Sequence, residues 1–584
     1  MTNDKPPARA STRGALAGLL AAALALGVGQ LIAGLIAPTS SPVVAVGELS
    51  IDFTPPFLKN FAVSTFGSND KSVLEAGILI ILALFACEIG ALAVRRIDYG
   101  MWGLGIFVVI GVISAVTRPN ATAVDALPTV LGGAVAALAL RRMVRLATEL
   151  PARTPTRPAG KPPALPDYVA GSDPGKQPGQ RPGKTQVGLP EAWKQPAPAG
   201  RPGSGTRPGG KGGPPAAGRP GTVIRPSSGP QRRSFMTTSA VVAGTAAVGY
   251  FGGKLLTERG NVTAVRKTLR IPGPAKPIPP LPDGVDFHIP GLSPFVTPNS
   301  KFYRVDTAIV LPEITPTSWH LRVHGMVSKE IDLSFDDLIR RPLIEDYVTL
   351  TCVSDPVQGP YIGNAKWLGA SLQSLLREAG IKSGATQLLC TSADGFTSGA
   401  PVQVAMDGRD SMLAVAMNGT PLPVEHGFPV RQVIPGLYGY VSACKWIVDI
   451  EVTTYEAARA YWADRGWDQQ APIKTESRID VPSGNFSLKP GKTQVAGVAW
   501  AQHKGIEAVE VRVDRGPWQP ARLAKVPDLD TWRQWVYDWD AKAGTHLIEA
   551  RATDKTGFTQ TALQAPPEPN GATGYPIVQV TVNA

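Results

Sequence analysis

Four long apolar segments within the first 145 residues constrain the fold of this chain more than any other feature of its sequence. They lie at about residues 14–36, 73–94, 99–117 and 123–140. A helix of about 20 residues, at a rise of roughly 1.5 Å per residue, crosses the roughly 30 Å hydrocarbon layer of a bilayer. The sequence therefore predicts an all-α, four-helix transmembrane region over residues 1–147, with the lipid bilayer as its partner.

Basic residues mark one side of these predicted helices. They stand before the first segment, after the second and after the fourth: Lys5, Arg9, Arg13, Arg95, Arg96, Arg141, Arg142 and Arg145. Because loops rich in lysine and arginine remain on the cytoplasmic side, the N-terminus should be cytoplasmic and the chain should return there after the fourth helix. The pattern is typical of a multi-pass protein of the cytoplasmic membrane.

Two carboxylates fall within these segments, Glu88 in the second and Asp125 in the fourth. Ionisable groups inside a bilayer are costly, and each is a candidate for function. Glu88 could serve a proton or quinone reaction, or it could make a structural hydrogen bond between helices. Asp125 lies near a predicted helix end, where it could reach the membrane interface.

A tract rich in proline and glycine follows the predicted helices. Residues 151–233 contain fourteen Lys or Arg and three Asp or Glu, so they carry +11 of the chain's net charge of +12. Such a composition cannot bury a core, and we expect a disordered basic linker over residues 148–233. Its aromatic residues are limited to Tyr168 and Trp193, which argues against nucleic acid as a partner and favours anionic lipid headgroups.

The linker ends in a pair of arginines. Arg232 and Arg233 precede Phe235 and a mildly apolar run, Thr237–Gly253. This arrangement resembles an internal twin-arginine export signal; the alternative is an ordinary fifth transmembrane helix with a basic flank. We predict an anchor helix over residues 234–256, which places the rest of the chain outside the cytoplasm.

After the anchor the pattern becomes that of a globular α+β domain. Trp319–Val323 alternates between apolar and polar residues as a strand does. Ser334 can cap the short helix Phe335–Ile339. The apolar spacing in Ser371–Ala379 predicts an amphipathic helix that Gly380 ends.

The C-terminal part shows strand patterns separated by turn residues. The β-prone segments are Val495–Trp500, Ala508–Val513, Trp535–Trp539, His546–Thr553 and Tyr575–Val582. Short strands repeated in this way predict an all-β sandwich.

One cysteine stands at a strand-to-loop junction. Cys352 follows an apolar, β-prone run and precedes the turn-forming residues Ser354–Pro356. A scaffold can hold a thiol rigidly at such a place while leaving it reachable. Taken alone, Cys352 could instead be a small buried apolar side chain. The sequence leaves open whether Cys390 and Cys444 form a disulfide.

The residues around Cys352 occur together with other motifs in a fixed order. In chain order these are Thr349–Pro356, Gly363–Trp367, His426–Arg431, Pro435-Gly436 and Lys445-Trp446. Over about residues 290–455 this order resembles the molybdopterin domain of the sulfite oxidase family. The resemblance implies a multi-domain protein, with an α+β sulfite-oxidase-type molybdopterin domain over residues 257–455 and an immunoglobulin-like, dimerisation-type β-sandwich over residues 456–584. It also admits a homodimer.

The same resemblance assigns roles to individual residues. Cys352 would ligate molybdenum and act as the catalytic residue, while the pterin would supply two further sulfur ligands. Cofactor-binding residues are implied at Asn299, Phe302, Tyr303, Ser392, His426, Arg431, Ser442 and Lys445. Of these, Arg431 and Lys445 would hold the phosphate end of the molybdopterin cofactor.

Two departures from the family's pattern bear on the substrate. Sulfite oxidases carry a catalytic tyrosine where Val415 stands, and they carry arginines shortly after the metal cysteine, where this chain has Ser354–Pro356. An anionic substrate favours a cationic pocket. Reduction of S- or N-oxides is therefore a candidate comparable to the oxidation of a sulfite-like compound.

Electron transfer should involve a second component. All six histidines lie outside the four N-terminal segments, and the sequence has no Cys-x-x-Cys-His motif, so no haem is expected. We therefore expect a separate membrane or soluble electron-transfer partner.

Together these features predict a molybdopterin-dependent oxidoreductase that catalyses oxygen-atom transfer on a small oxo-compound, with its catalytic domain on the outer face of the cytoplasmic membrane. The alternative is an exported binding or interaction protein with a degenerate, metal-free molybdopterin fold. The joint presence of Cys352, Arg431 and Lys445 argues against that alternative. A transporter with a sensor domain is disfavoured because the four short spans show no internal repeat.

Overall fold

The computed structural model describes the chain apart from its termini, one long segment and several short ones. The described residues are 8–55, 58, 70–118, 121–148, 230–258, 262–483 and 487–583. The predicted linker therefore lies outside them except for residues 148 and 230–233. Lys5, which contributed to the predicted orientation, lies outside them as well.

Five helices among the described residues are long and apolar enough to cross a membrane. They are Ser11–Ile36, Val73–Arg95, Ile97–Val116, Ala123–Thr148 and Arg233–Leu256. They coincide with the four predicted apolar segments and the predicted anchor, so the helical character of these segments is confirmed. Their length and composition are compatible with a membrane protein.

Close contacts between backbones hold the N-terminal helices together. The helices are α1 (Ala8–Ile36), α2 (Pro42–Phe53), α3 (Asp70–Arg95), α4 (Ile97–Val116), α5 (Leu127–Thr148) and α6 (Pro230–Glu258). A Cβ atom at Gly18 of α1 would collide with the carbonyl oxygen of Ala86 in α3, and one at Gly27 with that of Ala246 in α6. Small residues permit such an approach between membrane helices. The short helix α2 was not anticipated from the sequence.

Asp125 stabilises the start of α5. It lies in a short 3-10 turn, Ala123–Ala126, where its carboxylate accepts hydrogen bonds from the Thr122 backbone N–H at 2.7 Å and the Thr122 hydroxyl at 2.9 Å. The Arg118 guanidinium lies 3.7 Å from the same carboxylate. Asp125 thus serves as a helix cap, which agrees with its predicted position near a helix end.

Glu88 is exposed on the surface of α3. Among the described residues Glu88 makes neither a hydrogen bond nor an ion pair. The hydrogen bond from Glu88 to another helix, one of the two predicted roles, is therefore not found in the part of the chain that the structure describes. The proton or quinone role of Glu88 stays a prediction.

Two sheets and several short helices form the domain that follows. Its helices are α7 (Val262–Thr268), α8 (Phe335–Ile339), α9 (Leu372–Ala379), α10 (Val402–Ala405) and α11 (Gly439–Ser442). Its strands are β1 (His320–Gly325), β2 (Ile331–Ser334), β3 (Leu343–Thr351), β4 (Ile362–Ser371), β5 (Gln387–Ser392), β6 (Thr397–Pro401), β7 (Met412–Met417), β8 (Thr420–Pro421), β9 (Arg431–Val433) and β10 (Ile447–Thr453). One sheet has the order β2-β1-β10-β5-β6 and the other β3-β4-β7-β8, with β9 paired to β7. The predicted α+β character of this domain is confirmed.

Local sequence signals fix several ends of these elements. The Ser334 hydroxyl accepts a hydrogen bond from the Asp337 N–H at 3.2 Å and caps α8, as predicted. Gly380 ends α9 with φ of 66°, a left-handed conformation that glycine adopts without a steric penalty. Strand β3 ends at Thr351, so Cys352 opens the following loop as the sequence indicated.

Two further sheets make up the C-terminal part. The strands are β11 (Glu476–Val481), β12 (Ser487–Leu488), β13 (Gly491–Trp500), β14 (Ile506–Val513), β15 (Gln519–Pro520), β16 (Arg522–Leu523), β17 (Arg533–Ala541), β18 (Gly544–Asp554) and β19 (Ile577–Val582). Their orders are β11-β13-β17-β16 and β12-β19-β18-β14-β15. Val495 and Trp535 from the first sheet share one core with Val511 and Ile548 from the second. The predicted strands are confirmed, and the immunoglobulin-like classification of this sandwich stays a prediction.

The sandwich and the α+β domain share buried side chains. Trp500 and Trp532 of the sandwich belong to the same apolar core as Phe295 and Leu321. The Trp532 indole N–H donates to the Phe295 carbonyl at 2.9 Å. These contacts cross the predicted boundary at residues 455 and 456, so the two parts are joined by a continuous core rather than by a polar surface.

A group of carboxylates adds a pH-dependent contribution to this contact. Asp346 of β3 lies beside Asp528 of the sandwich, and burial, followed by repulsion from neighbouring carboxylates, raises the pKa of both. A raised pKa means that the folded protein binds protons more tightly than the unfolded chain. The contact therefore contributes most at low pH, and its contribution falls as pH rises above the ordinary aspartate pKa of 3.8.

We predict that Asp346→Asn reduces the loss of stability on going from about pH 5 to about pH 8, because the amide cannot ionise. The measurement is the Tm of the detergent-solubilised protein at both pH values. Asp332→Asn on β2 is the matched control, because Asp332 is exposed. An unchanged pH dependence of Tm in Asp346→Asn would contradict the prediction.

Candidate active site

Cys352 stands at the end of β3 with its thiol half-buried. Its backbone N–H donates to the Tyr361 carbonyl at 2.9 Å, and its carbonyl accepts from the Asp355 N–H at 3.2 Å. The thiol lies 3.0 Å from the Ser354 hydroxyl. Burial raises the pKa of the Cys352 thiol to about 11, and the hydrogen bond from Ser354 acts in the opposite direction. The strand and the turn thus hold the sulfur at a defined place, on a residue that is only partly buried.

Aromatic rings form one wall near this cysteine. Phe302 stacks on Tyr303 with ring centroids 5.2 Å apart. The Phe302 ring also packs edge-to-face against Trp367 and His426, with ring centroids 5.8 and 5.5 Å apart. Gly363 lies directly against Phe302, since a Cβ there would be 2.8 Å from the ring. Three residues named from the sequence, Phe302, Tyr303 and His426, are therefore brought together.

His426 is held in its neutral form. Burial, together with the nearby cations Arg431 and Lys445, lowers its pKa to about 3. Its Nε2 lies 3.2 Å from the backbone carbonyl of Asn299. Because a carbonyl oxygen can only accept, Nε2 carries the proton and Nδ1 is left as an acceptor. The Asn299 side-chain oxygen accepts a hydrogen bond from Asn418 at 2.7 Å, which fixes this segment in place.

Arg431 is a buried cation, with 5% of its surface exposed. Its guanidinium donates to the backbone carbonyls of His426 and Ala443, both at 3.2 Å, and lies 5.0 Å from the centre of the Trp367 ring. No carboxylate of the described residues pairs with it. Burial lowers its pKa to about 10. A buried guanidinium without a carboxylate favours an anionic ligand.

Lys445 lies beside a carboxylate that the sequence reasoning missed. Its Nζ is 2.7 Å from Asp306 Oδ2 and donates to the Glu425 carbonyl at 3.2 Å. Asp306 also accepts from Arg304 Nε at 2.8 Å. Burial lowers the pKa of Lys445 to about 8, against the opposite effect of Asp306. Asp306 lies three positions after Tyr303, an implied cofactor-binding residue, but no local pattern links it to Lys445.

The two serines named from the sequence differ in their surroundings. Ser392 ends β5 opposite Ile447, and the backbone N–H of Ala393 donates to the Trp446 carbonyl at 2.9 Å, so this turn lies close to Lys445. Ser442 lies in α11, where its hydroxyl donates to the Leu437 and Tyr438 carbonyls at 2.9 and 3.1 Å. The Ser442 donor is therefore used within its own turn.

The remaining cysteines are free thiols. Cys390 and Cys444 are both buried in the α+β domain and are not joined by a disulfide, which resolves the alternative that the sequence left open. Gln432 donates to the Cys390 sulfur at 3.4 Å. Cys87 is a half-buried free thiol in α3. Of the three cysteines in the α+β domain, Cys352 is thus the most exposed.

Two acidic residues lie close to the cysteine loop. Asp355 is buried, and its carboxylate accepts from the Tyr361 N–H at 2.8 Å. Burial raises its pKa to about 7. Glu476 enters from the sandwich strand β11, and burial followed by repulsion from Asp355 raises its pKa to about 8. Asp355 was visible in the sequence as part of the departure at Ser354–Pro356, whereas nothing local marks Glu476.

Proteins similar to this chain belong to one family. Residues 308–462 match the model of the oxidoreductase molybdopterin binding domain. Sulfite oxidase of Gallus gallus is 31% identical over 322 residues, which cover 47% of this chain and 69% of that protein. The mitochondrial sulfite oxidase of Rattus norvegicus is 31% identical over 43% of this chain and 53% of its own length, so the chain spans about half of the rat protein.

Among solved structures, the sulfane dehydrogenase SoxCD of Paracoccus pantotrophus is similar, with 25% identity, a TM-score of 0.42, and coverage of 46% of this chain and 76% of that one. The sequence relationship to the chicken enzyme covers more than two thirds of that protein. The residues that match the domain model, 308–462, include Cys352, His426, Arg431 and Lys445. The chain therefore belongs to the sulfite oxidase family of molybdenum-dependent, molybdopterin-binding oxidoreductases.

Proposed function

We propose that this protein is a membrane-anchored oxidoreductase that reduces small neutral S- or N-oxides by oxygen-atom transfer at the outer face of the cytoplasmic membrane. Family membership supports the reaction type. The five apolar helices support the membrane anchor. The identity of the substrate is inferred from the chemistry around Cys352.

The residues present fit a molybdopterin cofactor. Arg431 is a buried cation lacking a carboxylate partner among the described residues, as a binding site for a phosphate group requires. Within the described residues, no group of three or more His, Cys, Asp or Glu side chains could hold a metal ion. A single half-buried thiol therefore suits a metal that arrives with its own sulfur ligands. When bound, the cofactor supplies a molybdenum centre that exchanges an oxygen atom and two electrons with the substrate.

The protein's own groups hold and orient this cofactor. Cys352 provides the thiolate, and Arg431 and Lys445 hold the phosphate end. Neutral His426 offers Nδ1 as a hydrogen-bond acceptor to the pterin, since its Nε2 proton is used by Asn299. Phe302 and Tyr303 form an apolar wall that excludes water from one side. Asn299, Ser392 and Ser442 complete the proposed binding residues, with Ser442 acting through its turn rather than through a free donor.

The observation that carries the substrate proposal is the composition of the loop after Cys352. Asp355 stands where an anion-binding site would carry arginine, and its carboxyl group is buried. A buried carboxyl group at this place offers no cation to bind sulfite, whereas a neutral oxide does not require one. Val415, buried in β7, stands where sulfite oxidases carry a tyrosine. Reduction of an oxide to the parent compound and water consumes two protons and two electrons, the electrons coming from a separate redox partner.

Three further features belong to the same proposal. The domains are a four-helix region (residues 1–147), a basic linker (148–233), an anchor helix (234–256), the molybdopterin domain (257–455) and an immunoglobulin-like sandwich (456–584). The catalytic domain lies outside the cytoplasm. The proposal also includes a homodimer formed through the sandwich. Metal analysis of the purified protein tests the proposal as a whole, because a degenerate binding protein would contain no molybdenum.

Cys352→Ser should lower both bound molybdenum and oxide reduction by on the order of a hundredfold, because serine is a hard and poorly ionised ligand. Molybdenum content and turnover with a sulfoxide are the measurements. Cys390→Ser is the matched control, since Cys390 is a buried thiol of the same domain, and it should retain the metal. Full turnover with an unchanged molybdenum spectrum in Cys352→Ser would remove this residue from the mechanism.

Arg431→Gln should reduce retention of the cofactor by on the order of a hundredfold, because the phosphate loses its buried cationic partner. The measurement is the pterin and molybdenum content after gel filtration. Arg322→Gln serves as the control, because Arg322 is an exposed partner of Glu330 on the surface. Equal pterin content in the two variants would show that Arg431 does not hold the cofactor.

Replacing Arg232 and Arg233 with lysine should leave the catalytic domain on the cytoplasmic side, because a twin-arginine translocase reads the guanidinium groups and not the charge alone. Protease accessibility of the domain in intact spheroplasts is the measurement. The control is the double change Arg141→Lys and Arg142→Lys, in the basic cluster after the fourth helix. A protease-sensitive, active domain in the first variant would mean that the fifth segment is an ordinary transmembrane helix.

A further inference from the structure

The loop that follows Cys352 is held by the C-terminal sandwich. Gln358, in the middle of this loop, places its amide against Ile479 of β11. The amide nitrogen donates to the Ile479 carbonyl, and the amide oxygen accepts from the Ile479 N–H at 2.9 Å. Strand β11 lies at the edge of its sheet. The Gln358 side chain therefore pairs with free backbone groups of that edge much as a neighbouring strand would.

Gln358 adopts an unfavourable backbone conformation at this contact. Its φ is 71°, in the left-handed region that a residue with a Cβ rarely adopts. Such a conformation persists where surrounding contacts hold it in place. The two hydrogen bonds to Ile479 supply that restraint.

A second contact lies one residue farther along the loop. Arg478 of β11 donates to the Gly359 carbonyl at 3.0 Å. The same guanidinium is fixed by Asp480 at 2.6 Å and by the Ser293 hydroxyl at 2.8 Å. Because Asp480 and Ser293 fix its position, Arg478 is a rigid support for the loop.

The sandwich also holds the strand that precedes Cys352. The buried Gln502 side chain donates to the Thr349 carbonyl and to the Thr351 hydroxyl, both at 3.0 Å. The Thr349 N–H donates to the Asp530 carbonyl at 2.9 Å. Contacts from the sandwich thus lie on both sides of Cys352 along the chain.

We infer that the sandwich domain sets the position of the Cys352 sulfur, with Gln358 as the principal positioning residue. The loop transmits this restraint through the hydrogen bonds that Cys352 makes with Asp355 and Tyr361. The importance of that position for catalysis rests on the proposed role of Cys352 as the metal ligand. The restraint itself is a property of the protein without cofactor.

The test compares Gln358→Ala, Gln358→Glu and Gln373→Ala in the full-length protein. Gln358→Ala removes both hydrogen bonds to Ile479, whereas Gln358→Glu keeps the acceptor and loses the donor. Gln373→Ala is the matched control, because the Gln373 amide donates to the Met406 carbonyl at 2.7 Å elsewhere in the same domain. The first measurement is the rate at which N-ethylmaleimide alkylates Cys352 in cofactor-free protein, followed by mass spectrometry with the Cys87 peptide as internal reference.

Alkylation of Cys352 should become about tenfold faster in Gln358→Ala, with an intermediate rate in Gln358→Glu, because the loop loses its hydrogen bonds to β11. The second measurement is the molybdenum electron paramagnetic resonance spectrum of the loaded protein, which should change in the same order. Alkylation rates and spectra equal to those of wild type and Gln373→Ala would overturn the inference. If the wild-type protein bound no molybdenum, the proposed function would fail while the alkylation rates still reported on the loop.

Discussion

The active-site region depends on how the outer edge of β3 is covered. Strand β3 pairs with β4 on one side only, and it lies at the end of its sheet. An uncovered edge leaves backbone donors and acceptors unpaired. The sandwich covers it at Thr349, where Asp530 and Gln502 supply the missing partners. The cysteine at the end of this strand is therefore placed by two domains at once.

A second determinant is the imbalance of charge at the proposed phosphate end of the site. Arg304 and Lys445 both contact the carboxylate of Asp306, whereas Arg431 has no carboxylate partner among the described residues. Arg431 is supported by carbonyl groups and an aromatic ring, which stabilise a cation without neutralising it. Burial is the main reason why the pKa values of Arg431, Lys445 and His426 lie below their ordinary values, and repulsion from neighbouring cations adds to this effect for Lys445 and His426. A bound dianion would relieve the repulsion among them.

Sequence reasoning succeeded where the signal was local. The cap at Ser334, the helix stop at Gly380 and the end of β3 before Cys352 each depend on neighbours within a few positions. The contact between Asp306 and Lys445 spans 139 positions, and that between Gln358 and Ile479 spans 121. No periodicity or spacing encodes such pairs, because they form only when separate elements pack together. The ordered motifs indicated which residues gather at the site but not which groups support them.

The residues that cover the edge of β3 are synthesised much later than the strand itself. The Thr349 hydroxyl accepts from the Trp532 N–H at 2.8 Å, and these residues lie 183 positions apart. At about 5 to 20 residues per second, the ribosome delivers the second partner roughly 10 to 40 s after the first. During that interval the edge of β3, the strand that precedes Cys352, lacks its partners from the sandwich. The nascent chain therefore passes through a stage in which the thiol is synthesised but its surroundings are incomplete, and chaperones have that interval in which to protect it.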